Sequence, residues 1–393
     1  MKYLLLGIFL FASSLWSMTL DTFIEKALRG SPSLSVIDAR LKANKQSIDI
    51  ADQFANPELF LTKNSLDNKQ AMSQTVVTFK QKIPYFSKRA KRADVALADE
   101  KVLQEELRSA KIALVERIKV TAYTIWELRE LQRIIDTYIA LTKQNIKLYE
   151  SYTSVGTKEH MGIMKAELSL SDLKVQRSAL DAKIDAAYAR LSYLGAFQIK
   201  ELDIDLHMGK RPDLTALKNA LLEQNPRLQV MQKEIQKQNA KVALSDINNY
   251  PDFALVAGYA YREKFDNYFN MGIGISLPIY GTEDDKEQRE KALLLAIKSQ
   301  KSDLALDITA QLQSYYAQEL SAYNIYHIIA DEALPQVAHM FELSISSITV
   351  GSDLFKYIDV LFQKLDLEKK SIEAITNYKK AAANIAALRG ELR

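Results

Sequence analysis

Cysteine is absent from the 393-residue chain, which excludes disulfides, thiolate metal sites, a cysteine nucleophile and a lipidated N-terminal cysteine. Glycine and proline are scarce, at 12 and 8 residues, so the chain holds few points where a helix must stop. Neither charge sign dominates: 52 basic residues are interspersed among 49 acidic ones, for a formal net charge of +3. That balance lacks the clustered basic face of a nucleic-acid binder, and no nucleic-acid partner is expected. After the first residues no apolar run approaches the roughly eighteen residues of a membrane-spanning helix. A membrane crossing by this chain therefore has to be a barrel.

The motifs of catalysis are also missing. There is no P-loop, no dinucleotide fingerprint, no GxSxG and no HExxH. The four histidines, His160, His207, His327 and His339, are scattered, and His327 and His339 stand about three helical turns apart, too far to share a metal. No enzyme activity, cofactor or metal is expected.

What the chain does have is the vocabulary of long helices: Ala, Leu, Lys, Glu, Gln and Ser dominate. Its start reads as a secretory signal peptide over residues 1–17. Lys2 is followed by the apolar run Tyr3 to Ala12 and by Ser13, Ser14 and Ser17, with cleavage expected near Ser17 or Met18.

An internal repeat organises the remainder. Pro32, Pro57 and Pro84 recur as Pro226, Pro251 and Pro278 at one offset of 194, and Leu28 and Leu34 fall on Leu222 and Leu228 in the same register. The first repeat is expected over 18–196, with a helix, a β-hairpin at 57–84 and a long helical hairpin at 86–195. A linker at 197–212 leads to the second repeat over 213–393, with its β-hairpin at 251–280 and helical hairpin at 282–390.

Between the prolines of each pair the hydrophobic period falls to two. Val77, Phe79, Gln81 and Ile83 alternate with Thr78, Lys80 and Lys82, and Met271, Ile273, Ile275 and Leu277 alternate with Gly272, Gly274 and Ser276. Partner strands are expected at Glu58 to Lys63 and Phe253 to Tyr261, with turns at Asp67-Asn68-Lys69 and Lys264 to Asn267. Strands of roughly 9 to 10 residues suit a tilted bilayer crossing, and the aromatics at their ends suit an interfacial girdle. The same alternation also fits a small soluble sheet with an aromatic core.

Helices of roughly 65 residues, about 100 Å long, are expected from Ser87 to Tyr152 and from Thr282 to Ile348, the second loosened at Pro335. Leu103, Leu107, Ala110, Leu114, Ile118, Ala122, Ile125, Leu128, Gln132 and Ile135 step by three and four, as in a coiled-coil seam. Returning helices follow at about Glu159 to Leu194, with Leu168, Leu173, Leu180, Ile184 and Leu191 on one face, and at about Leu354 to Leu388. The basic run Lys88, Arg89, Lys91, Arg92 and the acidic run Glu283, Asp284, Asp285 occupy matching places in the two halves, which predicts contacts between repeats around the ring. Four strands cannot close a barrel, so several chains must: three give twelve strands, two give eight.

This layout resembles the TolC-like outer membrane efflux proteins over essentially the whole mature length. The turns Tyr152-Thr153-Ser154-Val155-Gly156-Thr157 and Ser347-Ile348-Thr349-Val350-Gly351-Ser352 are similar to the family's Val-Gly tip motif. The resemblance implies a mainly α protein with a small antiparallel β part, in which long helical hairpins form a periplasmic coiled-coil barrel and four strands join a trimeric 12-stranded transmembrane barrel. It implies an outer-membrane exit duct of a tripartite efflux system, passing metal ions or drugs from an inner-membrane pump of the resistance-nodulation type through a periplasmic adaptor. Partners would be two further copies, adaptor, pump and outer-membrane lipid. Adaptor-docking tips would be Val155, Gly156, Thr157, Val350, Gly351 and Ser352; Asp353 and Asp359 fall where relatives carry acidic residues of the periplasmic gate. The absent lipidated cysteine departs from many relatives in the heavy-metal and drug branch. Alternatives are an outer-membrane component of type I protein secretion and an exported structural coiled-coil protein.

Overall fold

A computed structural model describes residues 18–65, 70, 72–152, 157–209, 214–348 and 354–392. In chain order these form β1 (Met18–Thr19), α1 (Leu20–Gly30), α2 (Pro32–Ala51), β2 (Glu58–Lys63), β3 (Gln74–Ile83), α3 (Lys88–Tyr152), α4 (Thr157–Gly195), β4 (Leu202–Asp203), α5 (Leu214–Gln224), α6 (Pro226–Ile247), β5 (Asp252–Arg262), β6 (Tyr268–Ser276), α7 (Thr282–His327), α8 (Leu334–Ile348) and α9 (Leu354–Leu388). The expected turn at Asp67 to Lys69 lies outside the described residues. Two compact units share these elements. One comprises residues up to Pro32, Ala113–Pro212 and Gln313–Ala387; the other comprises Ser33–Ile112, Asp213–Leu312 and the chain from Leu388 onward.

The first unit is helical. Its core joins the expected seam of α3 to α4 and α9: Leu128, Ile135 and Tyr138 pack with Leu173 and Leu180 and with Ile358, Leu361 and Leu365. Ile118, Ala122 and Ile125 are wholly buried, as a seam stepping by three and four requires. Leu168 departs from the expected buried face of α4 and is exposed. Five residues separate it from Leu173, and five helical steps turn it about 140° away. It belongs instead to a stripe with Met161, Met164 and Val175, all exposed and spaced by three, four and seven.

At the other end of α4 the packing is tight. A Cβ on Gly195 would lie 2.5 Å from the buried Phe23 ring of α1, so only glycine permits this approach. Thr19 caps α1 by accepting from the Thr22 amide, and Met18 and Thr19 pair in parallel with Leu202 and Asp203. The expected loosening at Pro335 takes a defined form. Residues Ile328–Ala333 form a π-helical segment in which the Leu334 amide reaches back to the Ile329 carbonyl. One wider turn absorbs the backbone bond that proline cannot make.

The second unit holds the four-stranded antiparallel sheet, in the order β2-β3-β5-β6. Two buried amides fix helices onto helices within it. Asn44 Nδ2 donates to the Ala96 carbonyl at 2.9 Å, and Gln238 Nε2 donates to the Glu290 carbonyl at 3.0 Å and to its carboxylate at 2.7 Å. Asn44 and Gln238 correspond through the offset of 194, as do Ala96 and Glu290. Burial pushes the Glu290 carboxyl up, but bonds from Gln238 and Arg289 outweigh it and hold the group below its ordinary range. A lowered folded value means that this contribution is present at neutral pH and is lost as pH falls through it. Asn44→Ala and Gln238→Ala should each cost about 1 kcal/mol, read as a lowered urea midpoint. Only the Gln238→Ala loss should shrink in acid.

Asn225 ties the end of the chain to this unit. Its side chain caps α6, accepting from the Arg227 and Leu228 amides, and donates to the Leu388 carbonyl at 2.7 Å. Gly390, at φ +78°, then turns the chain past the Gln224 carbonyl, a left-handed position that suits glycine.

Candidate functional site

Register assigns every sheet residue to a face, because directly paired residues in an antiparallel sheet project to the same side. Leu61, Val77 and Tyr259 form one cross-strand row with Phe269; Leu59, Phe79, Ala257 and Met271 form the next; Ile83, Phe253 and Ile275 close the face. Nearly all are large, apolar and exposed, Leu61 at 75% and Ile273 at 76%. A soluble sheet with an aromatic core would bury these side chains, and this sheet presents them outward.

The one amide on that face, Gln81, is satisfied: its Nε2 donates to the carbonyls of Ala55 and Lys82, each at 2.9 Å. Aromatic residues mark both ends. Tyr259, Tyr261, Phe265 and Phe269 lie toward the β5–β6 turn, while Tyr85, Phe86, Tyr250 and Tyr280 lie toward the helices, with Tyr85 stacked on Tyr250 at 4.9 Å. The tyrosines among them pair an apolar ring with a polar hydroxyl, as an interfacial belt requires.

The opposite face is small and polar. It carries Glu58, Thr62, Thr78, Lys80, Lys82, Asn270 and Ser276 over a floor of Ala254, Gly258, Gly272 and Gly274, with Phe60, Val76 and Val256 as its larger apolar members. Glu58 accepts from Lys82 at 2.5 Å and lies 3.9 Å from Lys80. One face suits hydrocarbon and the other suits water. The outer edges of β2 and β6 have no partner strand within the described residues. β2 occupies the expected Glu58–Lys63, six residues, and is shorter than the other three strands of the sheet.

The other residues singled out in the sequence fall as follows. Val155, Gly156, Val350, Gly351, Ser352 and Asp353 lie outside the described residues, and Thr157 opens α4. Asp359 sits on α9, where its Oδ1 accepts from Lys165 Nζ of α4 at 2.6 Å. These two positions are also separated by 194, so the pair joins equivalent points of two helices. The sequence reading passed over Lys165, and the offset applied to Asp359 would have found it.

Among the described residues the basic run forms no ion pair with Glu283, Asp284 or Asp285. Lys88 pairs with Asp252 at 2.9 Å, Arg89 with Asp52 and Lys91 with Asp94. The strand-end carboxylate Asp252 lies nearer to Lys88 than the corresponding helix does.

Comparison with known proteins follows this geometry. Residues 23–195 match the model of the outer membrane efflux protein family. Among solved structures, the fold is similar to the open state of the Neisseria gonorrhoeae MtrE outer membrane channel (13% identity, 95% of this chain and 89% of that one, TM-score 0.80). It is also similar to the outer membrane protein VceC of Vibrio cholerae (14% identity, 95% and 97%, TM-score 0.76). A third likeness is to the Campylobacter jejuni CmeC outer membrane channel (12% identity, 94% and 85%, TM-score 0.76). A search of curated proteins by sequence gave no match. Residues 23–195 thus resemble the outer membrane efflux protein family, and the fold over nearly the whole chain is the TolC-like fold of these solved outer membrane channels.

Proposed function

We propose that this chain is one of three identical copies forming the exit duct of a tripartite efflux system. The duct passively releases small toxic solutes, metal ions or drugs, delivered by an inner-membrane pump of the resistance-nodulation type through a periplasmic adaptor. The observation that carries this reading is the sheet, with one continuous exposed apolar face, one polar face and two open edges. Unpaired peptide groups cost several kcal/mol each in hydrocarbon, so β2 of one copy pairs with β6 of the next and three copies close twelve strands around the polar face. The exposed stripe Met161, Met164, Leu168 and Val175 on α4, and Met340 and Leu343 on α8, supply apolar seams for the neighbouring copies. A structural coiled-coil protein has no use for the apolar sheet face.

The tips Val155-Gly156-Thr157 and Val350-Gly351-Ser352 dock the adaptor, and Asp353 and Asp359 belong to the periplasmic gate. The pair of Lys165 with Asp359 supports the second role for Asp359. Both side chains are partly exposed, so the bond is weak and screened by salt, as suits a link that must part.

Purified protein should be a heat-modifiable trimer that forms pores in planar bilayers. Asp359→Asn should raise the mean conductance at low salt, and Lys165→Glu with Asp359→Lys should return it toward the parental value. A water-soluble monomer without pores would overturn the duct. Unchanged conductance in Asp359→Asn would remove that residue from the gate.

A further inference from the structure

The first turn of α3 presents cations at the end of a helix that disfavours them. Lys88, Arg89, Lys91 and Arg92 open α3 with no acidic residue in its first turn, although the helix dipole places partial positive charge there. At the matching place α7 opens with Glu283, Asp284 and Asp285, the sign that the dipole favours. Such a local conflict is expected where function requires it.

The polar sheet face converges on the same spot. Lys80, Lys82, Lys88 and Arg92 line a cleft of about 630 Å³, together with Ala254, Gly274 and Ser276 of the polar face. Asp252 offsets Lys88, and Glu58 is shared between Lys82 and Lys80. Arg92 has no carboxylate partner among the described residues, so two carboxylates face four cations. Ala254 and Gly274 keep the cleft floor low, since even a Cβ at Gly274 would meet only Ala254, its methyl at 3.5 Å. Lysines above a glycine floor have room to close on an occupant, and cations left without carboxylates favour an anionic one.

We propose that this cleft is a transit site for anionic solutes, binding a phosphate or carboxylate group as cargo passes the junction of sheet and helices. The proposal rests on the reading that the polar face lines the duct, and it narrows the cargo toward anions and away from bare metal cations. In the trimer the site occurs three times, and excess positive charge in a narrow passage concentrates anions.

Inorganic pyrophosphate, titrated calorimetrically into the trimer in a neutral detergent, tests it. Wild-type protein should bind, Lys80→Gln with Lys82→Gln should weaken binding at least about tenfold, and Arg92→Gln alone about threefold. Lys63→Gln, on the apolar face beside the β5–β6 turn, should change nothing. A trimer that does not bind, or binds equally in all variants, overturns the site while leaving the duct intact. Loss of binding in nanodiscs containing phosphatidylglycerol, against retention in phosphatidylcholine alone, would make a lipid headgroup the occupant and overturn the transit role. A soluble monomer that still binds would leave the anion site standing and overturn the duct.

Discussion

Ile273→Arg should abolish assembly in the outer membrane, whereas Gly272→Arg, one residue earlier on the same strand, should assemble normally. The contrast follows from the period of two. Ile273 stands in the apolar row with Leu255 and Gln81, while Gly272 stands opposite Val256 on the polar face beside Lys80. An arginine facing lipid near the bilayer midplane costs about 2 to 4 kcal/mol, and the closed ring incurs it once per copy. At Gly272 there is open space, and water on that face solvates the added guanidinium. The measurement is the amount of heat-modifiable trimer in outer-membrane fractions. Equal amounts in the two variants would mean that neither face contacts lipid.

Gly156→Asp combined with Gly351→Asp should abolish crosslinking to the adaptor without reducing the amount of trimer. Adding a side chain and a charge to both tips changes the surface proposed above to dock the adaptor, and the substitutions are remote in sequence from the strands and from the core residues Leu173 and Leu361. Either single variant should retain part of the crosslinking, because the other tip is intact. Undiminished crosslinking in the double variant would place the adaptor elsewhere.

Much of this architecture was legible before any coordinates. Three prolines at one offset pointed to two similar halves, and the change of period between the prolines separated strands from helices, because backbone geometry imposes periods of 2 and 3.6. The second long helix ends its return at Leu354 to Leu388, as its pattern required. One error has an equally local cause. Leu168 looked like a core residue because it is a leucine near other leucines, yet helical phase sets it on a different face.

The sequence by itself determined the long helices, the four strands of the sheet and their order, and the apolar alternation of the sheet, since these depend on periodicity and on the few residues that break it. Only the tertiary structure decided which side chains meet. That Asp359 finds Lys165, that Lys88 finds Asp252 in preference to the acidic start of α7, and that Asn44 and Gln238 each reach a helix 52 residues further along are facts of packing. The reason is physical. Local patterns fix how a segment folds on itself, but a contact between segments depends on the relative rotation and offset of two rigid bodies, and no single segment encodes either.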